Sequence, residues 1–197
     1  MNNLNLRDAS ECDAPIIAEL VYVTEDDPEH EWGEGSKDEI LDRISYLVNV
    51  AGSRYYYKNI KVAELDGKPC GVIILLKSDD IPMLDITTSI KLFLSIKGVI
   101  RKIKFIKDII LASRLDECGE SEIYIANLAT SENVRGRGIG KSLMILAEKM
   151  AKKEGYKRCS LLAKDRSLIS FYSKLDYKFE KEERYFSHNL YRMVKMV

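Results

Sequence analysis

The sequence predicts one domain of the α/β (α+β) class, built on a mixed, mostly antiparallel seven-stranded sheet with a parallel central pair and helices on both faces. Three observations predict it. Seven short segments read as strands along the 197 residues, and two of them, Arg54 to Glu64 and Cys70 to Ser78, are rich in β-branched and aromatic residues. Asp66-Gly67, between two of the early segments, is a strong hairpin signal and implies antiparallel neighbours. The second half alternates strand, helix, strand, helix, which implies a right-handed crossover and parallel strands.

The elements follow in order. Asn3 to Arg7 is a first strand. Ser10 and Asp13 give a capping-type start, and Ile16, Ile17, Leu20 and Val21 form one helical stripe behind it. An acidic loop runs from Thr24 to Gly35 and contains Pro28. Ser36 and Glu39 make a capping box before Ile40, Leu41, Ile44, Leu47 and Val48, the stripe of a second helix. Arg54 to Glu64 and Cys70 to Ser78 are the strands of the hairpin.

Thr88 to Leu115 has Phe93, Ile96, Ile100, Ile103, Ile106 and Ile110 at helical spacing, and Gly98 divides it. It reads as a helical insertion at about 86–116, between the third and fourth strands. The plain reading of its stripe is core packing; a dimer contact, a lid or a membrane-surface helix are the sharper ones. Then come a strand from Glu122 to Thr130, a helix from Ile139 to Lys153 ended by Gly155, and a strand from Cys159 to Lys164. A helix from Ser167 to Leu175 follows. Tyr177 to Phe186 and Leu190 to Val197 are strands joined by Ser187-His188-Asn189.

Composition narrows the function. Lysines and arginines balance aspartates and glutamates, which argues against nucleic acid as a partner. Cys12, Cys70, Cys118 and Cys159 form no CxxC, and His30 and His188 stand alone, so no metal site is expected. Scattered free cysteines suit a reducing cytoplasm. No apolar run approaches the ~20 residues needed to cross a bilayer, so no stable membrane insertion is expected. Charge is uneven all the same. Glu19 to Asp42 holds ten acidic residues and one Lys, and Lys91 to Arg114 holds seven basic residues and one Asp.

The most informative segment is Val134-Arg135-Gly136-Arg137-Gly138-Ile139-Gly140-Lys141-Ser142, between a strand and a helix. Alternating glycines strip side chains from the backbone, and the free N–H groups of a helix's first turn favour an anion. Arg135, Arg137 and Lys141 add positive charge. A phosphate or pyrophosphate cradle is implied; tight strand-to-helix packing alone is the plainer reading. A P-loop would need Gly at Arg135, and a dinucleotide fingerprint would need Gly at Lys141, so both spacings fail.

Arg135, Gly138 and Gly140 instead match Arg/Gln-x-x-Gly-x-Gly/Ala. With its flanking strands and helices, the stretch from Glu122 to Tyr177 resembles the GNAT superfamily of N-acetyltransferases. The resemblance is architectural from Leu4 to Ser78 and absent from Thr88 to Leu115. It implies a GNAT-like sheet, acetyl-coenzyme A as co-substrate and no metal. It implies that Arg135, Gly136, Arg137, Gly138, Ile139, Gly140 and Lys141 hold the pyrophosphate, and that the backbone of Leu128, Ala129 and Thr130 pairs with the pantetheine arm. Asp165-Arg166-Ser167-Leu168-Ile169-Ser170-Phe171-Tyr172 resembles the family helix whose Tyr faces the coenzyme's sulfur. Tyr172 is then the acid, with a core tyrosine as the alternative. Asp165 replaces the usual Asn toward the pantetheine, and Asp176 replaces a Gly at the helix end. Glu122 is the candidate base; Glu25, Asp26, Asp27, Glu29, His30 and Glu31 crowd the loop on the acceptor side, and a water chain can replace a dedicated base. The clustered carboxylates imply a cationic amine acceptor, small molecule or peptide. Many relatives pair as homodimers, and by analogy the insertion offers a surface for this. A regulatory acyl-CoA-binding module without turnover and a different acyl donor remain the competing readings.

Overall fold

The computed structural model describes residues 3–186 and 188–197, so Ser187 of the expected last turn lies outside the described residues. Seven strands form one sheet in the order β1-β2-β3-β4-β5-β7-β6. They are β1 (Leu4–Asp8), β2 (Ile60–Leu65), β3 (Lys68–Lys77), β4 (Glu122–Thr130), β5 (Arg158–Ala163), β6 (Lys178–Tyr185) and β7 (His188–Met196). Only β4 and β5 run parallel; every other neighbouring pair is antiparallel. This is the expected sheet.

The β2–β3 hairpin turns on Asp66 and Gly67, both at positive φ (51° and 77°), the backbone a two-residue turn demands. β2 starts at Ile60 rather than Arg54, because a short 3₁₀ turn occupies Tyr57–Asn59. The aromatic run Tyr55-Tyr56-Tyr57 looks strand-like in composition but lies in the turns that lead into β2.

Period-two alternation divides the core between the two faces of the sheet. On one face α1 (Ala14–Tyr22) and α3 (Lys37–Val48) pack Ile17, Ile44 and Leu47 against Val62, Val72 and Ile74. On the other, α6 (Ile139–Lys153) and α7 (Arg166–Ser173) pack Leu143, Ala147 and Tyr172 against Ile73, Ile123 and Met193. Burying one such aliphatic side chain contributes about 1.5–3 kcal/mol. The capping box at α3 forms as expected: Glu39 N donates to Ser36 Oγ at 3.2 Å, and Ser36 N donates to Glu39 Oε2 at 2.9 Å.

The acidic loop is not wholly irregular, since α2 (Pro28–Trp32) sits within it and buries Trp32 completely. The insertion forms two helices, α4 (Ile81–Ser95) and α5 (Val99–Ala112), and the break falls at Gly98 with φ 91°. α4 begins seven residues before Thr88, with Pro82 in its first turn, where a missing N–H costs nothing. None of the described helices is long and apolar enough to cross a membrane.

Candidate active site

The sheet opens at the only parallel pair among the described strands. β3 and β4 pair Ile74 with Asn127 and then Leu75 with Ile125, so Ala126 is an extra residue bulged out of β4. The β4–β5 ladder runs from Glu122↔Arg158 to Ile125↔Leu161 and stops there. β4 continues to Thr130 on β3 alone, which leaves the β5-facing backbone of Asn127, Leu128, Ala129 and Thr130 without a ladder partner. The sequence carries no glycine or proline to announce this bulge.

The glycine turn lies beside the open edge. Gly138 caps α6 in the left-handed region (φ 78°) with no side chain to satisfy the first-turn N–H groups. Those donors and the helix dipole therefore face outward. A Cβ built on Gly136 or Gly138 meets no atom within 4 Å, so the space over the turn is free. Gly140 lies against the strand side instead: its Cβ would stand 3.9 Å from Leu128 and 3.7 Å from Phe171. Arg135, Arg137 and Lys141 are exposed around the turn, and only a loose 3.4 Å contact with exposed Glu132 engages Arg135. Ile139, by contrast, is buried and anchors the helix start in the core.

Tyr172 projects from α7 into this core face, with its ring edge-on to Phe171 at 5.1 Å. Burial, helped by the nearby Asp165 charge, pushes its phenol up to about 12. The helix closes with Tyr177 N donating to Tyr172 O at 3.1 Å and with Asp176 at φ 67°, the left-handed cap expected of it. Asp165 caps the other end. Its Oδ1 accepts from Ser167 N at 2.7 Å and Leu168 N at 2.8 Å, and these bonds hold its pKa low. That oxygen serves α7 itself.

On the far side of the open edge lies a cleft of about 570 Å³, walled by the acidic loop, the turn end of the β6–β7 hairpin and the inner sides of α4 and α5. Two side chains tie the loop to the diverging strands. Asn127 Nδ2 donates to Thr24 Oγ1 at 2.9 Å, and Lys164 at the end of β5 reaches Glu25 and the Thr24 carbonyl. Burial pushes the Glu25 carboxyl up to about 7, against the pull of Lys164, and the Glu31 charge adds to the rise.

Glu31 has a different environment. Its Oε1 accepts from Tyr55 OH at 2.8 Å and its Oε2 from Tyr185 OH at 3.3 Å. Asp85 and Glu117 in the same cleft each lie 2.6 Å from Arg54, and Asp27 lies 2.9 Å from the His188 ring. Each Glu31 oxygen retains accepting capacity beyond its phenol. Sequence spacing could not join residues 31, 55 and 185.

Glu122 is the correction. It is fully buried, and Arg192 reaches its Oε2, Gly119 N donates to the same oxygen at 3.0 Å and Arg158 Nε lies 3.1 Å from Oε1. Burial alone would raise its pKa, but Ser160, Gly119 and Arg192 overcome that and hold it low. Both oxygens are turned into this pairing and neither lines the cleft. The sequence placed Glu122 on the right strand, but its side chain is committed to β5 and β7.

A family model for the acetyltransferase (GNAT) family matches residues 17–177. No curated protein sequence matches. Among solved structures, an N-acetyltransferase from Staphylococcus aureus Mu50 superposes with a TM-score of 0.77 at 23% identity, covering 97% of this chain and 100% of that one. A polyamine N-acetyltransferase from Drosophila melanogaster gives 0.58 at 13% identity over 99% and 100%. An N-acetyltransferase from Thermoplasma acidophilum in complex with coenzyme A gives 0.55 at 18% over 99% and 99%.

Proposed function

This chain belongs to the acetyltransferase (GNAT) family and is an acyltransferase, and from that premise we propose that it transfers the acetyl group of acetyl-coenzyme A to a primary, cationic amine by direct attack in a ternary complex. One observation carries the reading. The unpaired edge of β4 at Leu128–Thr130 and the open glycine turn are neighbours, brought together where Gly140 faces Leu128.

The residues fit the coenzyme. The free space over Gly136 and Gly138 takes a diphosphate on bare main-chain N–H groups, with Arg135, Arg137 and Lys141 as counter-charge. The backbone of Leu128, Ala129 and Thr130 accepts the pantetheine arm as an added strand. Bound there, the coenzyme supplies an activated thioester. Tyr172 keeps its proton at neutral pH and donates it toward the departing sulfur. Glu25, half-buried in the cleft and poised near neutrality, takes the proton of the amine directly or through water. Glu31, held by two phenols, receives the acceptor's positive charge. Asp165 contributes indirectly, by fixing the start of the helix that carries Tyr172. That a solved relative in fold acts on polyamines agrees with a cationic acceptor.

The test is a thermal-shift series followed by thiol release. A ligand at 100 times its Kd stabilises the fold by about 2.7 kcal/mol. Acetyl-CoA should raise the melting temperature, whereas ATP and NAD should not, and longer acyl-CoAs should rank below acetyl-CoA. An amine panel should then give acetyl-CoA-dependent thiol release. Stabilisation without thiol release on any amine would favour a regulatory acyl-CoA module instead.

A further inference from the structure

The outer face of the insertion is apolar and uncovered. On α4 the exposed residues Met83, Ile86, Ile90 and Leu94 recur at spacings of three and four, which places them on one side of the helix. On α5 the same holds for Val99, Ile100, Ile103, Ile106 and Ile110, with Ile100 82% exposed. The opposite sides carry the buried Leu92 and Phe105, so the helices are docked on the protein by one face only. A contiguous exposed stripe of large aliphatics is unlike the scattered single exposures of an ordinary surface and marks an interaction site.

Charge identifies the partner. The one acid of each helix turns away from this face, since Asp85 binds Arg54 in the cleft and Asp108 is buried beside His30, whereas Lys97, Lys107 and Arg114 are exposed. Lys102 and Lys104 sit roughly 100° to either side of Ile103 on the helix circumference. Lys107, four residues after Ile103, is exposed on the apolar side itself, and Lys97 is exposed in the break between the two helices. Arg101 and Lys104 hold only long contacts, of 3.5 and 3.6 Å, to the half-exposed acids Glu39, Glu29 and Glu34. Surface pairs of that kind contribute little and are readily exchanged. A second copy of the chain would bring like charge against like charge across this face. An anionic bilayer satisfies both parts of it, with phosphates at the lysines and acyl chains at the isoleucines.

We propose that the outer face of α4 and α5 docks in the plane of an anionic lipid surface, as a peripheral contact rather than a span. The inner sides of the same helices wall the cleft with Leu92, Phe105 and Ile109, so lipid contact and acceptor access share one element. The inference is independent of the acetyl-transfer reading.

Co-sedimentation of the full chain with vesicles tests it. The protein should pellet with vesicles containing phosphatidylglycerol and stay in solution with pure phosphatidylcholine, and high salt should release it. Lys97→Glu with Lys107→Glu should lower binding by about tenfold or more, since each basic residue near an anionic surface contributes about 1 kcal/mol. Ile100→Glu with Ile103→Glu should abolish it. All four side chains are exposed, so the variants fold, and circular dichroism checks this. Failure of the wild type to pellet with anionic vesicles overturns the proposal. So does a wild-type dimer in light scattering that Ile100→Glu with Ile103→Glu converts to a monomer while vesicle binding is absent; a second copy would then be the occupant.

Discussion

Asn127, the residue after the β4 bulge, donates from its side-chain amide to Thr24 Oγ1 at 2.9 Å, across 103 positions of sequence. The bond joins the opened strand to the loop that walls the cleft. Lys164 makes the matching tie from β5. The loop's position is therefore set by both strands whose separation creates the site.

Asn127→Ala removes that tie. A hydrogen bond of this kind is worth about 1 kcal/mol, or about a fivefold change in an equilibrium constant. The expected result is an amine KM raised by about that factor with the acetyl-CoA Kd unchanged. Steady-state kinetics with each substrate varied in turn separates the two; an equal rise in both would place the effect on the strand rather than on the loop.

Gly138→Val tests the cradle. A branched residue at φ 78° costs about 1–2 kcal/mol, and its side chain would fill the open space over the first-turn N–H groups. The melting temperature should fall by a few degrees, and the acetyl-CoA Kd should rise at least tenfold. Gly67→Ala is the control, because it shares a positive φ (77°) and an open surround but lies at the hairpin tip. It should lower the melting temperature without affecting the coenzyme.

Tyr172→Phe keeps the ring and deletes the proton. General acid catalysis contributes about 10²–10⁴-fold, so kcat should drop by at least 10² while coenzyme affinity holds. With the phenol pushed up to about 12, the wild-type rate should show no alkaline fall from this group across the neutral range. An unchanged kcat in the variant would return Tyr172 to the core.

What could be read from the chain follows how far apart the interacting residues lie. The capping box at Ser36 and the Asp66-Gly67 turn are settled by neighbours three or fewer positions away, and both form as written. The start of α4 is set by Pro82 in its first turn, ahead of the apolar stripe that runs from Phe93. The bulge at Ala126 carries no glycine or proline, and the extra residue exists only relative to β3. Glu122 misled for the same reason. Its strand was clear, but Arg192, which neutralises it, lies 70 positions away.

Glu122→Gln should therefore behave as a structural lesion. Breaking one side of a buried ion pair costs up to about 3–5 kcal/mol, and Arg192 would keep only the half-exposed Glu180 as a counter-charge. Glu122 is held below the usual carboxylate range, so its contribution is present above that range and fades as pH falls through its lowered value. The variant's deficit in urea unfolding should accordingly be large at neutral pH and shrink in acid. The kcat of the folded fraction should stay near wild type; a collapse of kcat with stability intact would restore Glu122 to the chemistry.

Glu25→Gln addresses the base directly. Glu25 lines the cleft with its side chain 22% exposed, and burial pushes it up to about 7 even beside Lys164. The carboxylate is the working form, so wild-type kcat/KM should rise with pH through about 7. A second rise, toward the pKa of about 10.4 typical of an aliphatic amine, should follow as the free acceptor loses its proton. In Glu25→Gln the first rise should vanish and kcat should fall by about 10² or more, with the acetyl-CoA Kd unmoved. Glu31→Gln separates charge from chemistry. It keeps an acceptor for Tyr55 and Tyr185 but loses the negative charge, so it should raise the amine KM and leave the inflection near 7 in place. If the inflection survives in Glu25→Gln and disappears in Glu31→Gln, the two roles are reversed.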